Sequence, residues 1–196
     1  MIKKVKDPLD EASRLAFEKT RKAMNNKLSR VSPIHIEVRS APGYESELRI
    51  GFRTYKDRGY IDMRIWFLKD NEWLPTRRGV SVSPYYVLAA VIEALKRATK
   101  GKDSLVYKGR RPGAKRQDLI RVTVETTASD EFVSQIVRLR TWSREAVEYE
   151  AREGGLAIPS HLLPQVIGTL EEFAKAVGEV NGKYLRPLRL VEAPDL

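Results

Sequence analysis

Residues 61–84 read IDMRIWFLKDNEWLPTRRGVSVSP, and this stretch is the most informative part of the chain. Apolar side chains at 61, 63 and 65 alternate with Asp62, Arg64 and Trp66. This alternation predicts a strand with one face on the core and a polar, aromatic face outside. A turn, a basic corner and further strand residues follow. Ser83 and Pro84 then offer a hydroxyl cap and a first-turn proline, which predicts the start of a helix.

A weaker copy of this stretch occurs later in the chain, in the segments VRLRTW and GGLAIPS. Three residues recur at a spacing of 76 (140 − 64, 142 − 66, 155 − 79): Arg64, Trp66 and Gly79 reappear as Arg140, Trp142 and Gly155. Self-similarity at a fixed offset indicates a duplicated structural unit. We therefore expect two copies of one unit of strands and a helix.

The charge of the chain is high and unevenly distributed. Its formal net charge is +10 and its pI is about 9.8, which favours a polyanionic partner. Residues 1–118 hold 27 Lys and Arg against 14 Asp and Glu, whereas residues 119–196 hold 9 against 12. The first copy is therefore the predicted phosphate-facing part, and the second is predicted to be a structural partner.

Length and composition exclude several classes of protein. A chain of 196 residues can bury a core and fits one large or two small domains. It has no cysteine, so disulfides and thiolate metal sites are excluded. No segment approaches the roughly 18 consecutive apolar residues of a membrane span. The N-terminus has no continuous apolar run, so a signal peptide is not expected.

The first ββββα unit is predicted over residues 44–101. Alternation and turn residues give strands at 48–53, 61–66, 73–76 and 79–82, with turns at 55–59 and 69–72. The helix that follows should end at Gly101, which can take a left-handed cap conformation.

The remaining predicted segments are an N-terminal helix and short strand (1–43), a basic linker (102–118), a degenerate second ββββα unit (119–180) and a C-terminal tail (181–196). Within them we expect a helix at 7–27 and strands at 34–40, 120–124, 133–142, 147–149 and 154–159, with an extra edge strand in the tail. The predicted fold class is α+β. Two tandem β-β-β-β-α repeats, each a curved four-stranded antiparallel sheet plus a helix, form an intramolecular pseudodimer with an extra N-terminal helix.

The first unit resembles the Positive Cofactor Four family of single-stranded-DNA-binding transcriptional coactivators. The resemblance rests on IDMR at 61–64, the aromatic pair at 66–67, PTRRGVSVSP at 75–84 and the turn YKDR at 55–58. It implies a curved four-stranded sheet followed by a helix, dimerisation, and single strands that run through channels on the sheets. Two such units in one chain would form a built-in pseudodimer. The duplication alone makes this architecture similar to that of the Whirly family.

The resemblance assigns nucleic-acid contacts to Tyr55, Lys56, Arg58, Arg64, Phe67, Pro75, Arg77, Arg78 and Gly79. The family commonly has tryptophan where this chain has Phe67. Alternation places Trp66, and not Phe67, on the face of Arg64, so Trp66 is a candidate as well, although a bulge could reverse the two faces. The basic linker adds Lys108, Arg110 and Arg111 as phosphate contacts, with an ordinary solvated linker as the alternative.

The second unit departs from the motif where function is expected. At the offset of 76, the arginine pair of the corner is replaced by Glu153 and Gly154, and the basic turn becomes TASDE. Arg140 and Trp142 are interpreted as structural. We therefore expect an asymmetric pseudodimer whose first half does most of the binding.

The sequence predicts a non-enzymatic protein that binds single-stranded DNA with little sequence preference, in transcription or DNA maintenance. The alternatives are RNA binding and a transcription-machinery interaction module. His35 and His161 lie in unrelated contexts, and no phosphate loop, dinucleotide fingerprint or nucleophile elbow is present. No cofactor, metal or membrane partner is expected. Transcription or replication proteins and a further copy of the chain stay open as partners, and the predicted location is cytoplasmic, at the nucleoid.

Overall fold

The computed structural model describes residues 8–39, 45–85, 87–107, 117–128, 133–144, 149–152, 154–178 and 190–192. The helices are α1 (Pro8–Leu28), α2 (Leu88–Ala98) and α3 (Leu163–Gly178), with a short 3-10 turn at Ser160–Leu162. The strands are β1 (Ile34–Arg39), β2 (Ser46–Tyr55), β3 (Arg58–Lys69), β4 (Glu72–Val82), β5 (Ser104–Tyr107), β6 (Gln117–Ala128), β7 (Val133–Arg144), β8 (Tyr149–Ala151), β9 (Leu156–Pro159) and β10 (Leu190–Glu192).

The strands form two antiparallel sheets. The first sheet has the order β1-β2-β3-β4. The second has the order β10-β5-β6-β7-β8. β9 also pairs with β7, at residues 136–139, whereas β8 pairs with residues 142–144 of the same strand. Helix α2 follows the strands of the first sheet in the chain, and α3 follows β9 of the second, so the predicted α+β class is confirmed.

Two tight turns build the first sheet. Lys56 and Asp57 connect β2 to β3 with φ of 47° and 59°, and Asp70 and Asn71 connect β3 to β4 with φ of 51° and 63°. Two central residues with positive φ define the type I′ turn, whose twist matches that of the flanking strands. Both turns lie where the sequence predicts them.

One hydrophobic core joins both sheets and all three helices. Alternating residues of β2 and β3 turn one face of the first sheet inward, and buried apolar residues of the second sheet and of α2 belong to the same core. Fully buried members include Leu28, Ile50, Met63, Leu95, Ile120, Leu139 and Phe173. The two helices that follow the sheets contact each other, and Lys96 Nζ of α2 lies 2.9 Å from Glu171 Oε1 of α3. The two units therefore share a core.

The structure corrects several predicted element boundaries. The strand near residue 34 was predicted to lie in the N-terminal segment outside the first unit. It is the first strand of the first sheet, because β1 pairs with β2. The two short strands predicted at 73–76 and 79–82 are one strand, β4. Ser104–Tyr107, inside the predicted linker, is β5 of the second sheet. The edge strand expected in the tail is present as β10, which pairs with β5.

The start of α2 also differs from the prediction. The helix begins at Leu88, and Val87 at its N-terminus makes no side-chain cap hydrogen bond. The backbone carbonyl of Ser83 accepts the N–H groups of Val87 and Leu88, each at 3.2 Å. The predicted end is confirmed. Gly101 has a φ of 72°, and its N–H donates to the carbonyl of Ala98.

Candidate nucleic-acid interface

The outer face of the first sheet is the side turned away from the core, and it carries Arg49, Arg53, Asp62, Arg64 and Trp66. The register of β2 and β3 runs without interruption and pairs Arg49 with Arg64. Because successive residues of a strand point to opposite faces, this register brings the side chains together. Trp66 shares the face of Arg64, as alternation predicts.

Asp62 fixes the arginines of this face. Arg64 donates to both carboxylate oxygens, from Nε at 3.1 Å and from Nη2 at 3.2 Å. The hydroxyl of Ser81 donates to Oδ1 at 2.6 Å, and Arg53 Nε lies 3.7 Å from Oδ2. Asp62 is only 6% exposed, so this ring of donors compensates a nearly buried charge. Asp62 thereby orients Arg64 through two hydrogen bonds and attracts Arg53 as an ion pair.

Trp66 is covered by arginine and is not an open stacking platform. The guanidinium carbon of Arg49 lies 4.5 Å from the centroid of Trp66, and that of Arg53 lies 5.5 Å from it. These distances are typical of cation–π contacts. Arg49 is held in addition by Glu47, with 2.9 Å between Nε and Oε2. Trp66 therefore orients arginines on this face.

Tyr55 is the open aromatic side chain of the outer face. It lies at the end of β2 and is 65% exposed, with Lys56 Nζ 5.3 Å from its ring centroid. Phe67 is 37% exposed and lies on the opposite side of β3 from Arg64, since its position has the other parity. Tyr55 can therefore receive a base that approaches the outer face, whereas Phe67 points away from it.

A bulge in β4 creates the cationic corner, the exposed pair Arg77 and Arg78. β4 has two more residues than β3 between the pairs Arg64–Gly79 and Trp66–Pro75. Three hydrogen bonds at Thr76 hold this bulge. Its hydroxyl donates to the Ile65 carbonyl at 2.8 Å and accepts the Arg78 N–H at 3.0 Å, and its carbonyl accepts from Arg64 Nη1 at 2.7 Å. The corner is therefore a defined feature of the sheet.

Gly79 allows β4 to rejoin β3 after the bulge. A Cβ atom at this position would lie 2.8 Å from the Met63 carbonyl oxygen and 3.1 Å from Arg64 Cβ. The close approach of the two strands thus requires glycine. Gly79 has a structural task and offers no side chain to a ligand.

These elements enclose a groove of about 650 Å³ on the outer face. Three arginines, one carboxylate and two tyrosines take part in its lining, which consists of Arg53, Thr54, Tyr55, Tyr60, Asp62, Arg64, Pro75, Thr76, Arg77 and Ser81. The groove thus combines cations for phosphates with an exposed ring for a base.

The second sheet carries a matching groove of about 340 Å³, lined by Arg121, Thr123, Glu125, Arg138, Arg140 and Trp142. Arg140 Nε donates to the Arg152 carbonyl at 3.2 Å, as Arg64 does to Thr76. Arg138 Nε lies 2.5 Å from Glu125 Oε2, which repeats the diagonal pair of Arg53 and Asp62 with the charges exchanged.

Each groove therefore contains three arginines and one carboxylate. The acidic balance of residues 119–196 does not extend to this surface. Gly155 also repeats the role of Gly79, since its Cβ would lie 3.1 Å from the Leu139 carbonyl oxygen. The sequence offset of 76 thus corresponds to equivalent places in the two sheets.

The predicted site residues separate into five groups. Tyr55, Arg64, Pro75 and Arg77 line the groove. Lys56, Arg58 and Arg78 are exposed beside it, at the turn and the corner. Trp66 and Gly79 support it, and Phe67 lies on the other face. Lys108, Arg110 and Arg111 lie outside the described residues.

Sequence reasoning left several residues of this face out of the predicted site. Arg53, Tyr60, Asp62 and Ser81 line the groove, and Arg49 lies on Trp66. The signal for the two arginines was available, because Arg49 and Arg53 alternate with the apolar residues of β2. Asp62 alternates in the same way with the apolar residues of β3, whereas the place of Ser81 beside it requires the pairing of β3 with β4.

Residues 45–89 match the family model of the Transcriptional Coactivator p15 (PC4). The matched segment spans β2, β3, β4 and the first residues of α2, and so contains the outer face of the first sheet. The predicted resemblance is confirmed for this segment, and the match does not extend to the second unit. No curated protein matches the chain.

The PC4 family binds single-stranded DNA, acts in transcription coactivation and is not an enzyme family. The predicted cytoplasmic location is wrong, because this family is nuclear and transcription-associated in eukaryotes. In the described ranges, no cluster of three His, Asp or Glu side chains could hold a metal ion. Over the same ranges, no helix has the length and apolar character needed to cross a bilayer.

Proposed function

We propose that this protein binds single-stranded DNA, with little sequence preference, through the outer face of its first sheet. The observation that carries the proposal is the groove of about 650 Å³, which brings Arg53, Arg64 and Arg77 together with Tyr55 inside the PC4-matching segment. Arginine binds phosphate through forked hydrogen bonds, and an exposed ring can stack on a base. The role in the cell is transcription coactivation or DNA maintenance.

The structural arrangement favours a single strand over a duplex. Base stacking on Tyr55 requires an unpaired base with a free face, and each stacked base contributes about 1–3 kcal/mol. The arginines are fixed by Asp62 and by Trp66, so they are oriented before the strand arrives. Sequence-tolerant and salt-sensitive binding follows.

The second groove extends this proposal to both sheets. Its three arginines and one carboxylate equal those of the first groove. The first groove has in addition Tyr55 and, next to it, Arg78 of the cationic corner. We therefore propose that the first sheet provides the larger part of the affinity and that the second contributes phosphate contacts.

The test is charge reversal at the cationic corner. The double variant Arg77→Glu, Arg78→Glu should bind a fluorescent single-stranded oligonucleotide at least about tenfold more weakly, and its affinity should depend less on salt. A matched control is Lys100→Glu, Lys102→Glu, which changes the net charge equally at two exposed residues after α2. The control should retain most of the wild-type affinity.

Two results would contradict the proposal. If both double variants lost affinity equally, binding would follow net charge and not the corner. If the corner variant kept wild-type affinity, the groove would not be the site, and docking to the transcription machinery would gain support. Competition with an RNA oligonucleotide of the same sequence tests which nucleic acid the protein prefers. Tighter binding of RNA would show that RNA, and not DNA, is the ligand.

A further inference from the structure

The cationic corner of the first sheet packs against the second unit. A Cβ atom built on Gly154 would lie 2.6 Å from the carbonyl oxygen of Arg77. Real Cβ atoms do not approach a backbone oxygen this closely, so the contact requires a residue without a side chain. β4 also contacts β7 and β9, so the corner lies at the junction between the two sheets.

The backbone at Gly154 imposes the same requirement. Its φ is +82°, a left-handed conformation that favours glycine. Just before it, the N–H of Arg152 donates to the Thr141 carbonyl at 2.9 Å, and just after it β9 begins. The chain is thus anchored on both sides of Gly154, so a side chain here would have to displace Arg77.

The sequence offset explains why the second unit lacks this arginine. Gly154 stands at the position of Arg78 (154 − 78 is 76). An arginine at 154 would bring its Cβ to within 2.6 Å of the Arg77 carbonyl. The junction therefore has room for only one arginine corner, and the difference between the two copies follows from packing.

We propose that Gly154 is a positioning residue for the nucleic-acid site of the first sheet. This inference rests on the proposed function. The bulge is held within its own sheet by the bonds of Thr76, whereas the carbonyl of Arg77 abuts the second unit. A side chain at 154 displaces the Arg77 backbone and moves its guanidinium relative to the groove. The second unit thus shapes the first site without adding charge to it.

The test compares Gly154→Ala with Gly101→Ala. Gly101 has a similar φ of +72°, but no heavy atom lies within 4 Å of its Cβ position. Both variants introduce backbone strain, and only Gly154→Ala collides with Arg77. Gly101→Ala should bind a single-stranded oligonucleotide as the wild type does. Gly154→Ala should bind on the order of fivefold more weakly, which is less than the loss of a whole charge-assisted contact.

A double-mutant cycle separates this role from general destabilisation. Gly154→Ala is introduced into the variant Arg77→Ala, Arg78→Ala, in which no corner is left to position. The expected result is no further loss of affinity. A further loss of about the same size would overturn the proposal, as would equal affinity of Gly154→Ala and Gly101→Ala. If the alanine variant does not fold, asparagine at 154 and 101 serves the same comparison, since asparagine tolerates positive φ.

The outcomes also separate this inference from the proposed function. A wild-type protein that does not bind single strands, or that binds equally well without Arg77 and Arg78, overturns both. A protein that needs the two arginines but binds equally with alanine at 154 or at 101 overturns the positioning role alone.

Discussion

Asp62→Asn tests whether binding depends on geometry or on charge alone. The carboxylate accepts two hydrogen bonds from Arg64 and one from Ser81, with Arg53 at 3.7 Å. Asparagine keeps the shape and one acceptor oxygen, but its NH₂ group would face arginine donors. The substitution therefore removes the anchor of Arg53 and Arg64 while it raises the net charge by one.

The loss of stability follows from these contacts. A hydrogen bond to a charged group contributes about 1.5–3 kcal/mol. The arginines are partly exposed, with 26% and 56% of the Arg64 and Arg53 side chains accessible, so solvent screening reduces their share. We expect the free energy of unfolding to fall by about 2 kcal/mol, which lowers Tm by about 4–8 °C for a chain of this size. Urea unfolding followed by circular dichroism measures it.

The effect on affinity has two opposing parts. An added net positive charge favours a phosphate about 4 Å away by about 1 kcal/mol in a water-like dielectric. Two arginines that lose their anchor must be ordered on binding, at about 0.5–1.5 kcal/mol each. The second part is larger, so the net loss is about 1 kcal/mol, or on the order of fivefold. Fluorescence anisotropy with a single-stranded oligonucleotide measures this difference.

Asp70→Asn is the matched control for this prediction. Asp70 is exposed in the turn after β3 with a φ of 51°, a conformation that asparagine tolerates well. It removes the same charge without touching the groove, and its affinity should equal or slightly exceed that of the wild type. If Asp62→Asn bound as tightly as Asp70→Asn, the role of Asp62 in orienting the arginines would be refuted.

Three further predictions concern other parts of the molecule. Tyr55→Ala should lower single-strand affinity by about 1–3 kcal/mol in an anisotropy titration, whereas Phe67→Ala, on the opposite face, should not. Equal losses would show that stacking is not confined to the outer face. Gly79→Ala should destabilise the fold by about 1–3 kcal/mol in urea unfolding, since its Cβ would lie 2.8 Å from the Met63 carbonyl oxygen. The control Gly168→Ala, in α3 with open space around it, should stabilise the fold by about 0.5–1 kcal/mol. Unchanged stability of Gly79→Ala would contradict the close approach of the two strands. Hydrogen bonding to Glu171, and then to Glu93, raises the pKa of Lys96 above 10.5. The contribution of Lys96 to stability is therefore complete below pH 10.5 and is lost as the pH rises through the raised pKa. Glu171→Gln should weaken this pH dependence in urea unfolding on either side of pH 10.5, and an unchanged profile would argue against the ion pair.

Local sequence signals predicted the hairpins and the faces of the first sheet. Lys56–Asp57 and Asp70–Asn71 are polar pairs between alternating segments, and the structure has a type I′ turn at each. The parity of Trp66 and Phe67 was also correct, because β2 and β3 pair without a bulge. These features depend on neighbours in the chain, so a single sequence contains them.

Features that depend on strand pairing were not predicted. The bulge at Thr76–Arg78 became two strands in the sequence interpretation, because only the partner strand shows that β4 continues through it. β5 has four residues, and its place in the second sheet depends on pairing with β6. The helix predicted to start at Ser83 and Pro84 begins at Leu88, and the carbonyl of Ser83 accepts the N–H groups of Val87 and Leu88.

The lining of the candidate groove was predicted in part, and the missing part has a physical reason. A strand interior contributes every second residue to a face, so the charge of a whole segment says little about one surface. Residues 119–196 are acidic in total, yet their groove has three arginines and one carboxylate. Trp66 looked like a base platform, but its ring is covered by Arg49, which only the register of β2 and β3 reveals.

The central claim is that the outer face of the first sheet binds single strands. It is tested most directly by the affinity of the wild-type protein for single-stranded and double-stranded oligonucleotides of the same sequence, at about 50 mM and 200 mM salt. We predict tighter binding of the single strand at both concentrations, with affinity falling as salt rises. Equal affinity for the duplex, or no binding at the lower salt concentration, would contradict the claim.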